Sequence, residues 1–120
     1  MCGDFDDQTT VDQELFERFI ESARRFGVAP DPEATGMLQL DTEQARANYM
    51  DSLFQAGLTR CLNDASRLPP GERMDALAGQ AIVFARLAGF LTAQFPPGAD
   101  LFRSVMSAVV HGHDDPDHSH

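Results

Sequence analysis

The chain has 120 residues, of which 42% are hydrophobic and nine are phenylalanine, and its formal net charge is −10. That length predicts one domain with enough apolar material for a core. The acidic balance disfavours nucleic acid as a partner, and the absence of lysine excludes Schiff-base lysines and a Walker-type phosphate lysine.

The charge is unevenly placed. Asp4, Asp6, Asp7, Asp12 and Glu14 stand in the first fourteen residues without a basic neighbour, and Asp114, Asp115 and Asp117 lie in the last ten. Between them, residues 15–110 hold eleven acids against nine arginines, so the body is nearly balanced and both ends are acidic. Residues 1–9 read as a flexible acidic arm. DFDD at 4–7 has the flavour of a calcium loop but lacks its glycine and its position-12 glutamate. Cys2 and Cys61 are too few for a disulfide framework. MCGDFDD has neither the basic nor the apolar region of a signal peptide, and glycine at position 3 does not suit N-myristoylation; a cytoplasmic location is expected.

A first helix is predicted from Thr10, with Thr10 and Gln13 at capping-box spacing. Val11, Leu15, Phe16, Phe19, Ile20, Ala23 and Phe26 form its apolar stripe, Glu14–Arg18 and Glu21–Arg25 are candidate i,i+4 pairs, and Gly27 stands at the C-terminal cap position. Residues 28–40 break the pattern with two prolines and Gly36, giving a long loop that joins non-adjacent helices and includes GMLQL as a short extended piece.

A second helix starts at Asp41 or Thr42 and ends near Leu68, before Pro69. Its stripe is Met50, Leu53, Phe54, Gly57, Leu58, Cys61, Leu62 and Ala65. LPPGER opens a third helix, apolar nearly all round, with Arg86 the lone charge in AIVFARLAGFL. A helix of that kind lies at the centre of a bundle or against a partner. Gln80 and Arg86 interrupt the 18-residue run from Ala76 to Ala93 and no basic anchor flanks it, so a membrane span is not expected. FPPGAD then opens a fourth helix with Leu101, Phe102, Val105, Met106 and Val109 on one face.

These elements predict an all-α fold: a four-helix, up-down-type bundle over residues 10–110, flanked by the acidic arm and a flexible His/Asp-rich tail at 111–120. Small residues make the third helix narrow, and close backbone approach would compensate for Gly79 and Gly89. Phe84, Leu87 and Phe90 stand off the alanine row as a candidate interface. Arg86 must meet an acid, a carbonyl array or water, and is a candidate for a structural ion pair or an anionic ligand.

All four histidines lie beyond residue 110, which leaves Ser–His and Cys–His catalysis without a buried base. His111, His113, His118 and His120, with Asp114, have the ligand chemistry of a zinc, nickel or copper site, although Pro116 and its polar neighbours favour a solvated tail with weak affinity. No cofactor is otherwise implied. The function expected from these residues is non-enzymatic: a protein working through contacts with itself or another protein, as a homodimer or an adaptor. The alternative is a metal-handling protein that uses the tail.

Overall fold

The computed structural model describes residues 3–96 and 100–118, with side chains described for 10–96 and 100–114. The chain is all-helical, with no strand among the described residues: α1 (Gly3–Arg24), α2 (Glu43–Ser66), a 3₁₀ turn (Pro70–Glu72), α3 (Arg73–Thr92) and α4 (Leu101–His118). It divides into two compact units. Unit 1 comprises Met1–Pro32 and Arg86–His120; unit 2 is Glu33–Ala85, so α3 contributes to both.

In unit 1, α1 begins at Gly3 rather than near Thr10, and the helical backbone takes in the stretch read as a flexible arm. Extending a helix that already exists costs far less than nucleating one, and acids are favoured at its positive N-terminus. Its far end follows the expected signal. Gly27 has φ +78°, and the amides of Gly27 and Val28 bond to Arg24 O (2.9 Å) and Ala23 O (3.2 Å). This 5→2 and 6→1 pair is the Schellman motif, which requires the left-handed backbone that glycine adopts without strain. At the other end of the chain, α4 runs through residues 111–118, also expected to be flexible. Propagation again accounts for the difference, because Leu101 to Val110 supply the nucleus.

In unit 2, Thr42 is the N-cap of α2, its Oγ1 accepting from Ala45 N at 3.0 Å. Arg46 donates to Leu40 O at 3.0 Å and ties the loop to the helix it precedes. Residues 28–40 form no strand; Met37 is 92% exposed. α2 stops at Ser66, just short of the Pro69–Pro70 pair. There Arg73 Nε donates to Leu68 O at 3.0 Å across the turn, and α3 follows. The segment Pro70–Thr92 is long and apolar enough to cross a bilayer by length and composition alone, and none of α3's residues is buried.

Candidate interaction surfaces

Unit 1 is organised around phenylalanine. The Phe90 ring on α3 meets Phe26 edge-on at 5.5 Å and Phe19 at 6.1 Å, and Phe19 meets Phe16 at 6.1 Å. Edge and tilted contacts at these separations suit ring quadrupoles, whose negative faces attract positive edges. Arg86 lies over the Phe26 ring, 5.8 Å from its centroid. The guanidinium thus faces an aromatic ring, a partner that was not among the acid, carbonyl array or water expected from sequence. Beside the cluster, Leu15, Phe16 and Phe19 of α1 and Leu91 and Phe95 border an apolar groove of about 410 Å³. On α4, Phe102, Met106, Val109 and Val110 remain exposed.

A concavity of about 510 Å³ is bordered by Glu14, Glu17, Arg18, Ile20, Glu21 and Arg24, all from α1. One helix cannot enclose a site, and this is a solvated charged face. The expected Glu14–Arg18 and Glu21–Arg25 pairs are not among the ion pairs formed. Exposed pairs of this kind gain little over solvation and leave the side chains free.

Unit 2 is built on small residues. A methyl added at Gly57 would meet Phe84 Cζ at 4.0 Å, and Gln80 Nε2 donates to Cys61 O at 3.2 Å. Ala65, 6% exposed, is the one buried hydrophobic residue among the described residues, and Ala76 is half-buried. Position rises along α2 as it falls along α3 in these contacts, so the two helices pack antiparallel through a row of Gly57, Cys61 and Ala65 against Ala76, Gln80 and Phe84. A methyl at Gly79 or Gly89 would have no neighbour within 4 Å, so close approach in this hairpin falls to Gly57 instead. Gln80 Oε1 is buried without a hydrogen-bond partner, which costs about 1–3 kcal/mol.

The hairpin has two unlike sides. Arg60 and Asp64 on α2 and Gly79 on α3 precede the facing-row residues and border a groove of about 440 Å³ that also holds Cys61 and Gln80. Arg60 donates to Asp64 at 2.8 Å; that hydrogen bond, and then the carboxylate's charge, raise the guanidinium's pKa above its ordinary value. The residues that follow the facing row are Leu58 and Leu62 on α2 and Leu77 and Ala81 on α3. Each is rotated by about 100° from the row. In antiparallel helices those rotations lead to the same side, so this side is apolar, and Phe54 and Met74 extend it. All six are exposed.

Of the residues singled out from sequence, Phe84 lies in unit 2 against Gly57, while Leu87 and Phe90 belong to unit 1. Phe84 and Leu87 are exposed at 45% and 47%, but Phe90 is half-buried among phenylalanines and is not a free contact residue. His111, His113 and Asp114 are exposed on α4, with His113 Nδ1 at 3.4 Å from Asp114 Oδ1. No group of three potential ligands forms among the described residues; the His118 side chain and all of His120 lie outside them. Sequence reasoning missed the apolar side of the hairpin. Its signal was present: the α2 stripe, from Leu53 round to Leu62, is wider than one neighbouring helix covers.

The sequence matches no family model, and comparisons with curated proteins and with solved structures give no match.

Proposed function

We propose that this protein is a non-enzymatic helical protein that acts through protein–protein contacts, in a homodimer or on a partner it adapts. One observation carries this reading. Large hydrophobic residues on every helix stand exposed, while Ala65 is the one buried hydrophobic among the described residues. Monomeric soluble proteins rarely leave contiguous apolar patches beyond a few hundred Å² uncovered. The unburied α3 adds support, because a helix apolar nearly all round is stable in water only when something covers it.

Light scattering on the purified full chain tests the reading. The expected mass is twice the 13.2 kDa of one chain, or that of one chain with a co-purifying protein. A well-folded monomer of 13.2 kDa that carries no partner, at all concentrations up to the millimolar range, overturns it.

A further inference from the structure

The geometry points to the apolar side of the α2–α3 hairpin as an isologous docking surface for a second copy of the same hairpin; this rests on the protein-contact reading above. The side is formed by Phe54, Leu58 and Leu62 of α2 and Met74, Leu77 and Ala81 of α3. Three features select a second copy as its occupant.

The first is relief. Phe54, Leu58 and Leu62 project from α2 and Met74 and Leu77 from the first turns of α3, while farther along α3 this side presents Ala81 and Ala85, all of them exposed. Each hairpin therefore carries knobs next to a recess at Ala81 and Ala85. A two-fold axis lays the knobs of one copy over the recess of the other, and the same patch then serves both partners. An unrelated partner would need only one of the two.

The second is area. Phe54, Leu58, Leu62 and Met74 are 57–72% exposed and Leu77 is 39% exposed. Roughly 100 Å² of exposed surface for each of these large side chains gives about 500 Å² per hairpin, at the upper end of what monomers leave uncovered. Two copies together bury about 1,000 Å² before any rim contact, the size at which specific interfaces begin.

The third is the contrast with the other side of the hairpin. There the Arg60–Asp64 pair and Asp75 stand beside Val83, which is 60% exposed, so that side is mixed in character, whereas Phe54, Leu58, Leu62, Met74, Leu77 and Ala81 bring no charge to the other. A lipid bilayer is a poor occupant. The apolar helix carries Arg73, Asp75, Gln80 and Arg86, and a chain of net charge −10 is repelled by anionic headgroups.

Sedimentation velocity on three full-length variants tests the docking surface. Leu58→Glu places a charge among the knobs, and Ala81→Trp fills the recess. Both positions are exposed within one chain, so neither change disturbs the hairpin's own packing. Ser104→Glu, at an exposed polar position of α4, is the control. The expected result is a wild-type dimer, weakened about 100-fold or more by Leu58→Glu and by Ala81→Trp and unchanged by Ser104→Glu, with equal far-UV helix signals at high concentration. Dimers that survive Leu58→Glu and Ala81→Trp overturn this surface and leave self-association standing. A wild-type monomer that captures a different protein overturns the second copy but keeps the broader reading. Wild-type protein that pellets with neutral phosphatidylcholine vesicles and does not dimerise also overturns the proposal.

Discussion

Unit 1 turns its largest side chains toward one another, whereas unit 2 turns its smallest ones inward and its largest ones out. In Met1–Pro32 with Arg86–His120, Phe16, Phe19, Phe26 and Phe90 are ring-to-ring, and Arg86 closes on Phe26. In Glu33–Ala85, Gly57, Cys61 and Ala65 draw α2 and α3 together, and the leucines that follow Gly57 and Cys61 are left at the surface. The contrast shows what each packing strategy leaves over. Ring contacts consume part of the apolar area within the unit, with Phe19 and Phe90 half-buried while Phe16 and Phe26 stay 57% and 59% exposed. A small-residue seam gives close backbone approach but leaves the large apolar side chains to be covered from outside.

The largest effect that tests this contrast is Phe90→Ala. The loss of a half-buried ring that meets two others is expected to lower stability by about 2–3 kcal/mol, below the full cost at a sealed core site. Phe95→Ala, at a 54% exposed ring outside those pairs, should cost under about 1 kcal/mol in the same denaturant titration. Equal losses would mean that the ring contacts do not hold unit 1 together.

On the other unit, Gln80→Met removes the orphaned Oε1 along with the amide donor to Cys61 O. The bond lost is worth about 1 kcal/mol and the buried acceptor costs more, so unfolding should shift to higher denaturant by about 1 kcal/mol of stability. A loss of stability instead would show that the bond to Cys61 anchors the seam. Gly27→Ala, at φ +78°, is expected to cost about 1 kcal/mol by straining the end of α1. Gly57→Ala should raise stability by about 0.5–1 kcal/mol, because its methyl reaches Phe84 Cζ at ordinary contact distance and alanine favours the helix. Gly57→Leu should reverse that gain by forcing the seam apart.

The signals that proved legible in the sequence are local ones. Gly27 closes α1, Thr42 caps α2, and the first Pro-Pro pair ends one helix and begins the next, each through bonds within a few residues. Arg86 was recognised as needing a partner, but Phe26, sixty positions earlier, is a tertiary neighbour that no local rule supplies. The stripe on α2 was legible as apolar. Which of its residues a neighbour covers depends on how many helices pack there, and periodicity does not carry that number. The helical backbone runs through residues 3–9 and 111–118, past the ends drawn from composition, because composition weighs a segment in isolation, whereas a helix already formed extends past its nucleus.

The tail gives the smallest expected effect. His111 and His113 stand two positions apart on α4, about 200° of helix rotation, so they do not face one ion; zinc titration of the full chain should show binding no tighter than about 10⁻⁴ M, and a chain ending at Val110 should behave the same. Micromolar binding that truncation abolishes would restore the metal-handling alternative.

The most direct test of the central claim, that the exposed apolar side chains are covered by another polypeptide, is thermal unfolding followed by far-UV circular dichroism across a hundredfold range of protein concentration. Association that stabilises the fold makes the midpoint rise with concentration, and the account predicts that rise for the wild-type chain and its loss in Leu58→Glu. A sharp, cooperative transition whose midpoint does not move with concentration, in a chain that purifies alone, would contradict it.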